Sequence, residues 1–191
     1  MKNMRNGLKN LRSSITIGLV TFLIAILVTL ISQSRIRYIS LNTAIIVLLS
    51  IIFVGIISDM VGVAATAAEE KNFNARAAKK IPGARQGLYL VQHADRVASF
   101  MCDIVGDICG TISGAIGAVI VIKLVDRWNL AETFTNLITI GLIASLTVGG
   151  KAFFKWYGIK KADEIIFFVG KILAGLSLVK RRVINKIRGD L

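Results

Sequence analysis

The chain has 191 residues, 54% of them hydrophobic, a mean hydropathy of +0.69 and a formal net charge of +13. A soluble domain carries roughly 45 to 50% apolar residues, glycine included, and no long uncharged runs, so this composition excludes an ordinary soluble domain and predicts an all-α membrane protein. The sequence contains no Ser-His-Asp constellation, zinc-ligand cluster, phosphate-binding loop or dinucleotide fingerprint, and no enzymatic activity is expected.

A bilayer core about 30 Å thick needs around 20 apolar residues at 1.5 Å rise each, and four segments meet or approach that length. The first, 14–32, has no charge and follows a tail bearing Lys2, Arg5, Lys9 and Arg12. It is too long for a signal-peptide core, and polar, basic residues 33–37 follow it instead of a small-residue cleavage site. The second span is expected over 41–63. A basic helical hairpin is predicted over 64–96: a helix from Ala65 to Lys80, a turn at Ile81-Pro82-Gly83, and a second helix from Ala84 to Ala94. The third span is expected over 97–122 and the fourth, shorter one over 133–150.

The final segment, 162–188, is predicted to be a juxtamembrane amphipathic helix. Ile165, Ile166, Phe168, Val169, Ile172, Leu173 and Leu176 cover one broad face, and its far end is basic. A fifth span is the alternative, disfavoured because Lys171 would sit near the bilayer midplane. The whole chain reads as a single polytopic membrane domain.

Lys and Arg in short loops stay on the cytoplasmic side. The N-terminal tail, the hairpin and everything after Gly150 are strongly basic, whereas the loops 33–40 and 123–132 carry two basic residues each. With four spans, both termini fall in the cytoplasm and the protein sits in the inner (cell) membrane. The positive charge then points to anionic lipid head groups rather than to nucleic acid. Trp128 and Trp156 lie at predicted boundaries, where indole rings anchor helices.

The most informative side chains are acids in apolar surroundings. Asp103 and Asp107 stand one helical turn apart in the third span, and Asp59 lies near the end of the second. A carboxylate inside a bilayer costs on the order of 2.5 to 3.5 kcal/mol, so it is expected to face a polar cavity, a countercharge or a cation. The three acids share a range of depths near the cytoplasmic boundary. Ser58, Thr111 and Ser113 offer neutral oxygens, and a hard cation such as Mg2+ prefers oxygen ligands while keeping several waters. The competing possibilities are neutralisation by Arg96, Lys151 or protonation, and a proton relay.

Gly106, Gly110 and Gly114 form a double GxxxG stripe in the third span, with Gly117 nearby. Small residues let helices approach closely in lipid, so the stripe serves tight packing within the protomer or the seam of a homodimer. Cys102 and Cys109, on one helix and seven apart, are expected to pack as small apolar residues. His93, beside Asp95, is expected to be structural.

From Leu41 to Leu178 the order of elements resembles the transmembrane domain of the CNNM/CorC family. The resemblance is carried by an apolar helix, a basic hairpin ending in His93-Ala94-Asp95-Arg96-Val97-Ala98-Ser99, a Gly-rich helix, a short loop, and a helix leading to Lys151 and Lys160-Lys161-Ala162-Asp163-Glu164-Ile165. It implies divalent-cation transport, three spans followed by a juxtamembrane helix, and a homodimer; the span at 14–32 would be an addition. Ser58, Asp59 and Gly62 occupy the place of the family's Ser- and Glu-containing motif. Asp103, Gly106 and Asp107 lie near its Asn-rich motif, although no Asn is present. The family pattern Gly-Glu-x-x-Pro-Lys, set on Lys151, finds Thr147 for the Glu and Gly150 for the Pro. Full-length members continue into a nucleotide-binding CBS pair, and this sequence ends at Leu191. The resemblance therefore leaves two outcomes: a cation-binding protein using Asp59, Asp103 and Asp107 with Ser58 and Thr111, or a transport-inactive scaffold that binds a partner protein or anionic lipid.

Overall fold

A computed structural model of the chain describes residues 39–189, with side chains to residue 177, and isolated helical positions between 15 and 30. The expected span at 14–32 lies largely outside the described residues. Every described element is helical: α1 (Leu41–Ala67), α2 (Glu70–Ala78), α3 (Ala84–Gln92), α4 (Ala94–Ala98), a π-helical turn (Ser99–Val105), α5 (Gly106–Trp128), α6 (Glu132–Lys160) and α7 (Ala162–Gly189). Three continuous helices are long and apolar enough to cross a membrane: Leu41–Ala67, Ala94–Trp128 and Glu132–Lys160.

These helices run past the apolar segments seen in the sequence. α1 continues four residues beyond 63, to Ala67, because Ala64, Ala65 and Ala67 carry high helix propensity and nothing breaks the backbone there. α6 extends to Lys160, through a charged stretch beyond the expected end of the fourth span at 150. The helix expected from Ala65 to Lys80 is divided at Ala68–Glu69, so that its first residues belong to α1.

The described chain separates into two compact units, residues 39–55 with 104–148 and residues 56–103 with 149–189. In the first, Leu41, Ala44, Leu48 and Ile52 form the buried stripe of α1, at the three- and four-residue spacing of one helical face. Cys109, Ile112, Ile116 and Ile120 form the corresponding stripe of α5. The helices approach most closely at Gly55, where a Cβ would lie 2.9 Å from the Cβ of Cys109. The Lys123 ammonium donates to the Ile39 carbonyl over 2.8 Å. The 132–148 stretch of α6 is apolar yet almost uncovered, as befits a lipid-facing helix.

The second unit has a true core. Val61, Ala64, Ala65, Phe73, Ala162 and Ile166 are buried together, with Phe73 and Ile166 fully enclosed. The helices α2 and α3 pack on each other and on α7. The turn between them is shaped by Lys80 at φ 54° and Gly83 at φ 88°, both in the left-handed region. Backbone meets backbone here: a Cβ on Gly170 would lie 2.5 Å from the Gly83 carbonyl oxygen and 2.8 Å from the Gly87 nitrogen.

Asp163 ties the start of α2 to the start of α7. Its carboxylate accepts the Glu69 N–H at 3.0 Å and a hydrogen bond from the Asn72 amide, placing negative charge at an N-terminus that has no side-chain cap of its own. At the α6–α7 junction the Glu164 carboxylate accepts from Lys161 at 2.6 Å, and that bond raises the affinity of the Lys161 ammonium for its proton.

The backbone contact at Gly170 makes a specific demand on sequence. Gly170→Ala should cost about 1 to 3 kcal/mol, as overpacking against main chain does, whereas Gly175→Ala, which meets open space, should be neutral or stabilising by up to ~1 kcal/mol. Thermal unfolding of the two purified variants checks the contrast.

Candidate functional site

The candidate site of the second unit is built where the Ser58-Asp59 pair of α1 meets the π-helical turn. Gly62 allows the approach: a Cβ there would collide with the Cys102 sulfur and come within 3.3 Å of the Met101 Cβ. With the helices this close, the Ser58 hydroxyl donates to the Met101 carbonyl over 2.8 Å, and the Cys102 thiol donates to the Asp59 carbonyl over 3.6 Å. A π turn disturbs the regular α-helical ladder and often marks a functional position. Here a side chain from a neighbouring helix satisfies one of its carbonyls.

The Asp59 carboxylate has a counterion. The Lys151 ammonium lies 3.9 Å from it, with the two side chains 27% and 15% exposed for Lys151 and Asp59 respectively. That separation is about 1 Å longer than the 2.7 to 2.9 Å of a charge-assisted hydrogen bond, so the pair attracts without being locked. Gly150 brings Lys151 to this place, because its backbone passes so near Ile56 that a Cβ would meet the Ile56 Cδ1. Thr147 turns its hydroxyl back onto the Ile143 carbonyl of its own helix at 2.7 Å.

Asp103 belongs to the same unit and is exposed. The Cys102 thiol lies within the fields of Asp59, Asp103 and Lys151, so two carboxylates and one ammonium surround this turn. Asp107 and Thr111 belong to the first unit. Asp107 is exposed, and the Thr111 hydroxyl donates to the Asp107 carbonyl at 2.9 Å. Among the described residues no ion pair reaches Asp103 or Asp107. No three His, Cys, Asp or Glu side chains converge as a metal cage among those residues. An ion held at the acids would keep most of its water and meet one or two carboxylates, which is the habit of Mg2+.

The glycine stripe divides by environment. Gly106 is buried, and the added Cβ of Gly55 would stand 4.0 Å from its carbonyl; Gly117 abuts the end of Ile143. Gly110 and Gly114 look onto open space. Ser113 is 2% exposed, and among the described residues its hydroxyl has no hydrogen-bond partner. His93 accounts for itself locally: Nδ1 donates to the Tyr89 carbonyl at 2.9 Å and the two rings stack 4.3 Å apart. Both tryptophans carry a cation on the ring, Arg127 at 5.3 Å from Trp128 and Lys160 at 5.0 Å from Trp156.

The sequence singled out Ser58 and Asp59 and offered Lys151, with Arg96, as a countercharge for the acids, and Lys151 is the one found beside Asp59. Met101 contributes through its backbone carbonyl, to which no residue-type pattern points.

No protein-family model matches the sequence, and comparison with curated proteins and with solved structures finds no match.

Ser58→Ala should remove the bond to the Met101 carbonyl and lower stability by about 0.6 to 1.5 kcal/mol. Ser50→Ala, whose hydroxyl bonds only to the Ile46 carbonyl of its own helix, should change stability by less than about 0.5 kcal/mol. Equilibrium unfolding in detergent reads both.

Proposed function

We propose that the chain is a polytopic inner-membrane protein that binds a hydrated divalent cation of the magnesium type and passes it across the bilayer. Asp59 and Asp103 are its principal ligands, Ser58 assists them, and Asp107 and Thr111 continue the series of oxygen donors along the same helix. The observation that carries this reading is the loose Asp59–Lys151 pair at 3.9 Å. An intramembrane carboxylate demands positive charge, and an ammonium that is near but not hydrogen-bonded is a countercharge an incoming cation can replace. Lys151 then acts as the resident cation of the empty state. The order of elements and the Ser58-Asp59-Gly62 motif, which resemble the CNNM/CorC transmembrane domain, support the same function.

The topology proposed with it has four spans, including 14–32, and both termini in the cytoplasm. It rests on the basic residues that flank the apolar helices.

A second reading has its own support. Gly110 and Gly114 are uncovered, and small uncovered residues on a membrane helix suit a seam with another helix. Together with Thr147 and Gly150 at the family's Glu and Pro positions, this fits a transport-inactive scaffold that dimerises or holds a partner.

Thermal stability of the detergent-purified protein against Mg2+, Mn2+, Ca2+ and Na+ at fixed ionic strength separates the two. Cation binding predicts a saturable rise of about 5 °C or more with one divalent ion at a hundred times its dissociation constant. The rise should vanish in Asp59→Asn with Asp103→Asn and shrink in Asp103→Asn with Asp107→Asn. Lys151→Gln, lacking the competing ammonium, should bind the ion about five- to tenfold more tightly, a gain of ~1 to 1.4 kcal/mol. Absence of any ion-specific shift at millimolar concentration would favour the scaffold.

A further inference from the structure

A second polar feature lies at the opposite end of the hairpin from Asp163. The α2–α3 turn and α7 enclose a cleft of about 380 Å³, lined by Lys80, Ile81, Arg85 and Gln86 on one side and by Ala174 and Ser177 on the other. Among the described residues that line it, two are cations and none is a carboxylate. The turn has Lys80 in the left-handed region and lies so close to α7 that a Cβ on Gly83 would meet the Lys171 nitrogen at 2.7 Å. α7 exposes Phe168, Ile172, Leu173 and Leu176, of which Leu173 and Leu176 adjoin the lining residues Ala174 and Ser177 in sequence, and Ile81 on the turn is itself 37% exposed. A cationic cleft bordered by uncovered apolar side chains matches the two ends of one molecule, a phosphate head with an acyl chain below it.

We infer that this cleft binds the head group of an anionic glycerophospholipid, with Lys80 and Arg85 on the phosphate and the exposed face of α7 in the acyl layer. Arg85 offers the planar fork suited to phosphate oxygens, Lys80 a point charge, and Gln86 and Ser177 neutral hydrogen bonds to the rest of the head group. The inference rests on the reading of the chain as membrane-embedded, and it is independent of the cation site.

The test uses the full chain purified in a neutral detergent, with native mass spectrometry counting lipid adducts from equimolar dioleoyl-phosphatidylglycerol and dioleoyl-phosphatidylcholine. Preference for phosphatidylglycerol should be about tenfold or more, and should fall to near parity in Lys80→Asn with Arg85→Gln; asparagine is chosen because it tolerates positive φ. Lys71→Gln with Arg96→Gln removes equal charge elsewhere and should keep the preference. An equal loss in this control pair, or an unchanged preference in the cleft variant, overturns the inference. So does displacement of the lipid by millimolar inorganic phosphate, which would make the cleft a site for free anions. Carbonate-resistant membrane association is measured for every variant: its absence in the wild type would refute the membrane reading itself, whereas its loss in the cleft variant alone supports the lipid contact. Circular dichroism and elution volume confirm that the variants remain folded; should the cleft variant unfold, the single Arg85→Gln takes its place and must lower the preference, and an unchanged preference there overturns the inference.

Discussion

The second unit depends on a place where two stretches of main chain come within van der Waals distance without side chains between them. Gly83, Gly87 and Gly170 make that approach possible, and the burial of Phe73 and Ile166 beside it makes it favourable. The enclosed aromatic ring supplies roughly 2 to 3 kcal/mol of transfer free energy, and the glycines decide whether it can be enclosed. With the turn pressed onto α7, Asp163 reaches the start of α2, the cationic cleft acquires its second wall, and the end of α1 gains its alanine-lined core. Small residues and one large ring here replace the extensive apolar interior that a soluble domain of this size would need.

Solvent imposes a different constraint on the long helices. In hydrocarbon every backbone donor and acceptor must find its partner within the protein, so departures from the α ladder occur only where something else satisfies the exposed groups. The turn at Ser99–Val105 follows that rule, with Ser58 donating to the Met101 carbonyl. The polar chemistry of the site and the irregularity of its backbone are therefore one feature. Lys151 adds charge compensation for Asp59 at 3.9 Å, looser than a hydrogen-bonded pair.

Much of the architecture was legible in the residues. Uncharged runs marked the three described helices that are long and apolar enough to cross a membrane, Pro82-Gly83 lies between α2 and α3, and the apolar periodicity after Ala162 falls on α7. Hydropathy was less informative about helix ends, because it reports where apolar character stops and the backbone ladder can continue through charged residues, as α6 does to Lys160. Of the site, Ser58, Asp59 and the acids at 103 and 107 were visible as polar groups in apolar surroundings. The π turn was not, since no residue in Ser99–Val105 is barred from α geometry and the turn arises from packing against α1. Nor could the glycine stripe be apportioned in advance. All four residues share a helix, yet Gly106 and Gly117 meet neighbours while Gly110 and Gly114 do not, a distinction that belongs to tertiary contact.

A π turn also changes what a length variation means. Each residue advances an α-helix by about 100°, and the turn at Ser99–Val105 already accommodates more chain than α geometry requires. Loss of one residue there would return the segment to α geometry and leave the turns on either side in phase, so Cys109, Ile112 and Ile116 would stay on the face they now bury. A residue lost from the regular α-helical part would instead rotate everything beyond it by about 100°. Ser99–Val105 is thus a stretch in which a one-residue deletion removes the irregular backbone and spares the packing downstream.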